Sequence, residues 1–204
     1  MRVDFSPPDI TDAECQEVLD ALQSGWITTG PRTKSLEKRV AERCGTSRAV
    51  CLNSATASLE LTLRVLGIGP GDEVIVPAYT YTASASPVVH VGATPVLVDA
   101  GEADGGYGLD PSVLAGAITP RTKAVIPVDI GGRMCDYAGL REVVDSRRHL
   151  FAASGPVQET LGRISLVADG AHSFGARRDD TPSGSAADFT TFSFHAVKNL
   201  TTAE

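Results

Sequence analysis

Metal-binding and redox cysteine patterns are missing from this sequence. Its four cysteines, Cys15, Cys44, Cys51 and Cys135, form no C-x-x-C pair, and no histidine lies at metal-ligand spacing from them. They read as free thiols of a reduced compartment, with no metal centre. Aromatic residues make up only 5% of the chain, too few for a platform that stacks single-stranded bases. Positive charge is scarce as well. Eighteen Lys and Arg against 25 Asp and Glu leave a net charge of −7, which excludes a nucleic-acid binder held by phosphate contacts. No apolar run approaches the roughly 18 residues of a membrane span, and Met1-Arg2-Val3-Asp4 leads into polar sequence with no signal peptide. The expected location is the cytoplasm. Dinucleotide and nucleotide loops are lacking too. Gly67-Ile68-Gly69-Pro70-Gly71 follows a helix and has Asp72 where a third Gly is needed, so it reads as a helix stop and turn.

What is present suits one ordinary domain: 204 residues, 42% of them hydrophobic, enough to bury a core. Thr11 and Glu14 form a capping box that opens a helix to Ser24, with Cys15, Val18, Leu19 and Leu22 on one face. A second helix is predicted over 34–44, with Leu36 and Val40 inward and Gly45 as its stop. Short apolar runs then alternate with helices. Strands are predicted over 48–52, 73–77, 94–98, 123–128, 164–168 and 189–194. Helices are predicted over 54–66, 81–89, 110–118 and 138–147, the third with Asp110 as N-cap and Pro111 at its first position. The stretch 151–160 has no clear period and reads as a loop. Alternating strands and helices, with continuous apolar strands such as Val74-Ile75-Val76, predict an α/β fold whose parallel sheet is covered on both faces. In such sheets ligands bind at the carboxyl ends of the strands.

Those ends carry an unusual set. Asn53 to Ser58 opens a helix with small residues and hydroxyls, suited to an anion. Ala78-Tyr79-Thr80-Tyr81 places aromatics at the next strand end. Asp169-Gly170-Ala171-His172 places an acid at another, and Lys198 follows the last strand, where burial lowers an amine's pKa toward nucleophilic use. Taken singly, each has an ordinary reading: an N-cap, a packed ring, a turn-capping Asp, a surface Lys. Taken together they supply a phosphate cradle, a ring stacker, an acid for a ring nitrogen and an amine for an aldehyde, the needs of pyridoxal phosphate.

The chain resembles the DegT-type sugar aminotransferases, within the fold-type I pyridoxal-phosphate enzymes. The matching segments are Gly25 to Pro31, Asn53 to Ala57, Pro70 to Pro77, Gly92 to Asp99, Ala168 to Ala176 and Phe192 to Asn199, in order over nearly the whole chain. The last is most similar to the subgroup acting on UDP-linked 4-keto sugars. The resemblance implies a three-layer α-β-α large domain of aspartate-aminotransferase type. It implies that Lys198 carries the cofactor and moves protons, that Asp169 pairs with the pyridine nitrogen, and that Tyr81 stacks on the ring. Thr56, Ala57 and Ser193 would hold the phosphate, with His172 beside the ring. Trp26, Thr28 and Gly30 would lie on the substrate side. The implied substrates are glutamate, returned as 2-oxoglutarate, and a nucleotide-linked keto sugar; the implied assembly is a homodimer. Sugar dehydratases of the family usually replace the lysine with His, so Lys198 favours transamination. Two departures stand out. The stretch 147–163 is longer than in most relatives, and the chain ends at Glu204 inside a family motif, so residues 1–204 read as a truncated large-domain part without its small C-terminal domain. A later antiparallel strand is expected between 48–52 and 189–194. A non-catalytic cofactor-binding relative, an inert fragment, or a nucleotide-binding α/β module without the cofactor are the alternative readings.

Overall fold

The computed structural model describes residues 6–101 and 107–202. The Met1–Asp4 start and the Ala203–Glu204 end lie outside them. Five strands, β1 (Glu73–Pro77), β2 (Thr94–Val98), β3 (Thr122–Val125), β4 (Ser165–Asp169) and β7 (Phe189–Thr191), form one sheet in the order β2-β1-β3-β4-β7. Every pairing in it is parallel. A two-residue hairpin, β5 (Arg177–Arg178) with β6 (Thr181–Pro182), stands apart and was too short to announce itself in the sequence. Because the chain leaves β1 toward β2 and returns to β3 on the other side, the order switches between β1 and β3. A crevice opens at the carboxyl ends of strands at such a switch.

Side chains alternate across the sheet. Val74, Val76, Ala124, Ile126 and Val167 face one core with Leu59 and Leu63 of α3 (Ala55–Val65) and Val88 of α4 (Ser86–His90). Ile75, Val125, Leu166 and Ala168 face the other, with Leu114 of α5 (Pro111–Ala117) and Leu140 and Val144 of α6 (Tyr137–Ser146). This is the predicted three-layer α-β-α arrangement. Each fully buried Leu, Ile or Val contributes about 1.5–3 kcal/mol, so the two cores anchor the strand ends from both sides.

Element starts follow their caps. Thr11 forms its capping box with Glu14 at the head of α1 (Asp12–Gln23), Asp110 caps α5, and Gly45 closes α2 (Pro31–Cys44) in the left-handed conformation. Pro31 at the first turn lengthens α2 beyond the predicted start at 34. The helix predicted over 81–89 is divided into a 3-10 turn, Thr82–Ser84, and α4, because Pro87 has no N–H and is tolerated only in a first turn.

Three expectations are corrected. Residues 48–52 form no strand and pair with none among the described residues, and Val50 is 71% exposed. A strand needs a neighbour, and the edge strand β7 lies across a cleft of about 650 Å³ lined by 48–52, the first turn of α3 and 188–192. Likewise only 189–191 of the predicted last strand join the ladder; Phe192 and Phe194 turn away and pack edge-on against Phe174, with ring centroids 5.3 and 5.2 Å apart. The stretch 151–160 is not simply a loop. It carries α7 (Pro156–Leu161), whose Gln158 is fully buried, donates to the Lys123 carbonyl at 2.8 Å and accepts the Ser154 N–H at 3.0 Å. The chain there runs so close to α3 that a Cβ on Gly67, which also has φ +78°, would meet the Ser154 carbonyl oxygen at 2.6 Å.

Asp188 fastens β7 to β4. Its carboxylate accepts from the Leu166 N–H at 2.8 Å, from Arg163 at 2.7 Å and from Arg141 at 2.9 Å. Burial works to raise its pKa, but the bonds from Arg163 and Leu166 and the two guanidinium charges outweigh it and hold the carboxyl below the usual range. A depressed carboxylate stabilises the fold above its unfolded pKa and loses that contribution as pH falls through the folded one. Asp188→Ala should therefore cost the intact protein about 3–5 kcal/mol, with a smaller difference from the native protein in acid. Equilibrium unfolding at neutral and acidic pH checks this; equal losses at both would contradict it.

Candidate functional site

Parallel pairing brings the loops after β1, β3, β4 and β7 to one edge of the sheet. Asp169, the last residue of β4, is buried. Its backbone N–H donates to the Pro127 carbonyl at 2.8 Å, and its own carbonyl accepts the Asp129 N–H at 3.0 Å, so the segments after β3 and β4 stay zipped past the end of β3. Its Oδ2 accepts from Ser84 Oγ at 2.6 Å and its Oδ1 from the Ala171 N–H at 3.2 Å. Among the described residues it forms no ion pair, which leaves its charge available to a cationic partner.

Behind it lies a second buried carboxylate, Asp129. Its Oδ1 accepts from the Cys135 N–H at 3.0 Å and the Tyr137 hydroxyl at 2.9 Å; its Oδ2 accepts from Ser173 Oγ at 2.8 Å. Burial pushes its pKa up, against these donors, which favour the charged form. Burial and then the Asp129 charge raise the Cys135 thiol to about 12, so this cysteine is inert at neutral pH. Through Ser173 the network holds the far end of the Asp169–Ser173 turn.

His172 rides on that turn. Its Nδ1 accepts the Gly131 N–H at 3.2 Å, so the neutral ring carries its proton on Nε2. Burial, then the positive charge of Lys198, lowers its pKa below the usual value, and Asp169 works in the opposite direction. The His172 ring thus lies within electrostatic reach of both Lys198 and Asp169. Lys198 follows β7 in a turn closed by its own N–H to the His195 carbonyl at 2.9 Å, and Asn199 fastens this turn to the Phe174 carbonyl at 2.7 Å. Among the described residues Lys198 forms no ion pair.

The remaining predicted residues fall in two groups. Tyr81 stands 79% exposed directly before the 3-10 turn that contains Ser84, its ring face free. Thr56 and Ala57 lie in the first turn of α3, where the leading amides have no intrahelical partner. The Ala57 N–H is taken by the capping Ser54 Oγ at 3.1 Å, which leaves the Ala55 and Thr56 amides and the Thr56 hydroxyl. Ser193 lies between Phe192 and Phe194, which line the same cleft as Ser54 and Ala55. Trp26, Thr28 and Gly30 form a separate loop between α1 and α2. The Trp26 indole N–H bonds the Thr29 carbonyl at 3.1 Å, and its ring covers Gly30 so closely that a Cβ there would overlap it. Among the described residues the hydrogen bonds of this loop are local, and none joins it to the strand ends. Sequence reasoning missed Ser84, Thr80 and Asp129. Ser84 had a signal, three residues after Tyr81 in one tight turn; Asp129 could be found only from the fold.

The donor set fits pyridoxal phosphate: an unpaired amine, a buried carboxylate without a cation, an exposed ring and a helix start with free amides. Comparison with known proteins agrees. The model of the DegT/DnrJ/EryC1/StrS aminotransferase family matches residues 8–204. The spore coat polysaccharide biosynthesis protein SpsC of Bacillus subtilis (strain 168) is 40% identical over 200 residues, covering 98% of this chain and 47% of SpsC. The putative sugar aminotransferase Spr1654 from Streptococcus pneumoniae in its PLP-form is 57% identical with a TM-score of 0.96, over 100% of this chain and 52% of that one. DesI in the presence of its TDP-sugar product is 36% identical with a TM-score of 0.76, over 96% of this chain and 46% of that one. The chain therefore spans about half the length of the relatives it matches. With its parallel sheet, its strand-end acid and amine, and this match over nearly its whole length, the chain belongs to the DegT/DnrJ/EryC1/StrS aminotransferase family, whose cofactor is pyridoxal phosphate.

Proposed function

We propose that the intact protein is a pyridoxal-phosphate-dependent aminotransferase that moves an amino group from glutamate to a nucleotide-linked 4-keto sugar, acting in the cytoplasm as a homodimer. In this reading residues 1–204 are the amino-terminal segment and cofactor-binding large domain, and a small C-terminal domain completes the protein. The observation that carries the reading is the placement of Asp169 at the end of β4, His172 in the turn after it and Lys198 in the turn after the neighbouring parallel strand β7, all at one sheet edge. The sugar class is supported by DesI, which was solved in the presence of its TDP-sugar product. The homodimer is supported by α1, none of whose residues is buried. Val18, Leu19 and Leu22 present an apolar face continuous in sequence with Trp26 and Ile27, the latter 76% exposed. A monomeric but active intact protein in light scattering would exclude it.

The bound cofactor supplies an electron sink for a substrate carbanion. The chain does the rest. Lys198 Nζ would hold the cofactor aldehyde at rest and, once the substrate amine has displaced it, would accept and return the substrate Cα proton. The Asp169 carboxylate would keep the proton on the ring nitrogen, a preorganised charge that needs no rearrangement during reaction. Tyr81 would cover one ring face and exclude water from it. The Thr56 amide and hydroxyl and the Ser193 hydroxyl would bind the phosphate, with the Ala57 N–H, held by Ser54 Oγ at 3.1 Å, joining only on release from that cap. His172, its proton fixed on Nε2 by the Gly131 N–H, donates toward the ring's hydroxyl side.

Steady-state kinetics on the intact protein test these roles. Lys198→Ala should lower kcat by about 10⁴-fold, the upper range for a lost proton-transfer group, with partial rescue by added amines. Asp169→Asn should retain cofactor while kcat falls by about 10²–10³-fold. Normal turnover by the Asn variant would place the ring-nitrogen acid elsewhere.

A further inference from the structure

The segment that presents Tyr81 also aims a second side chain at Asp169. Ser84 is buried at 1% exposure, and its N–H bonds the Tyr81 carbonyl at 3.0 Å, so both residues belong to one rigid turn. Its Oγ lies 2.6 Å from Asp169 Oδ2, a bond spanning 85 residues of sequence. Thr80 Oγ1 lies 2.7 Å from Ser84 Oγ. The direction of this chain of hydroxyls is forced. A carboxylate only accepts, and a serine hydroxyl has one proton to give. Ser84 gives it to Asp169, so Thr80 must donate to Ser84. A bond to a charged acceptor is short and about twice as strong as a neutral one, and a donor behind it strengthens it further. Among the described residues the other carboxylate oxygen accepts only the Ala171 N–H, at a longer 3.2 Å, so there Ser84 is the one side chain that restrains the carboxylate's rotation.

We propose, resting on the cofactor reading above, that Ser84 is a positioning residue. With Thr80 ordering it from behind, its hydroxyl fixes the rotamer in which Asp169 meets the pyridine nitrogen. The turn Thr80–Ser84 then sets two features at once: the ring face covered by Tyr81 and the angle of the acid at the ring edge. A ring shift of the turn would misplace both together, which couples stacking to protonation.

The test uses the intact protein loaded with pyridoxal phosphate labelled with ¹⁵N in the ring, and three variants: Ser84→Ala, Thr80→Val and the double variant. In the native protein the ring-nitrogen resonance should lie at its protonated position. In Ser84→Ala it should move toward the unprotonated position, while kcat falls about 10–100-fold and the KM for the keto sugar changes little. Thr80→Val, nearly isosteric, should shift the resonance the same way with a loss of about 3–10-fold. It carries the test alone if Ser84→Ala fails to fold. The double variant should be no worse than Ser84→Ala, because Thr80 acts through Ser84. A Ser84→Ala protein with the native resonance and rate, or a double variant whose loss is the product of the single losses, would overturn the proposal while leaving the cofactor reading intact. A native protein that takes up no cofactor, or holds its ring nitrogen unprotonated, would overturn the reading and the proposal with it.

Discussion

Parallel pairing governs this molecule. Because β1, β3, β4 and β7 run the same way, each delivers its following loop to the same edge, and residues 81, 129, 169 and 198 lie along that edge despite their separation in sequence. The close pairing of β4 continues that alignment past the ladder itself. The Val128–Asp169 bridge and the Gly170 N–H to the Thr191 carbonyl at 2.8 Å hold the strand ends at fixed spacing on both sides of the acid. A Cβ on Gly170 would meet Phe192, Ser173 and Thr190 at 3.0 Å, so the turn after Asp169 is as tightly enclosed as the strand before it.

Buried carboxylates do different work according to what faces them. Asp188 is matched by two guanidinium groups and a backbone amide and serves only to fasten β7. Asp129 is matched by three neutral donors and braces a turn. Asp169 has hydroxyl and amide donors but no cation among the described residues, which is why the proposed function gives it the positive ring nitrogen. An unpaired buried charge costs several kcal/mol, so its retention is expected where a ligand cation supplies the missing partner.

Much of this was readable from residue order because local chemistry decided it. Val74-Ile75-Val76, bounded by Gly71 and Pro77, gave a strand whose limits match those observed, and Thr11, Asp110 and Gly45 marked helix ends through bonds made within a few residues. Lys198 and Asp169 stood out because each follows an apolar strand. What was not readable depends on distant partners. Residues 48–52 have strand composition, yet no strand lies beside them to pair with. The six residues of α7 are too few to show a period, and only Pro156 at its start and left-handed Gly162 at its end marked it. The Ser84 hydroxyl reaches Asp169 across the sheet edge, which no spacing in sequence encodes. The loop from Trp26 to Gly30 resembles a substrate segment but closes on itself through the indole.

The central claim is that Lys198 holds the cofactor aldehyde. Borohydride reduction of the intact, cofactor-loaded protein would make that attachment permanent, and mass spectrometry of its peptides would locate it. The account predicts the reduced cofactor on the peptide containing Lys198, with none on the Lys34, Lys38 or Lys123 peptides. Label on another lysine, or no label in a protein that still transaminates, would contradict it.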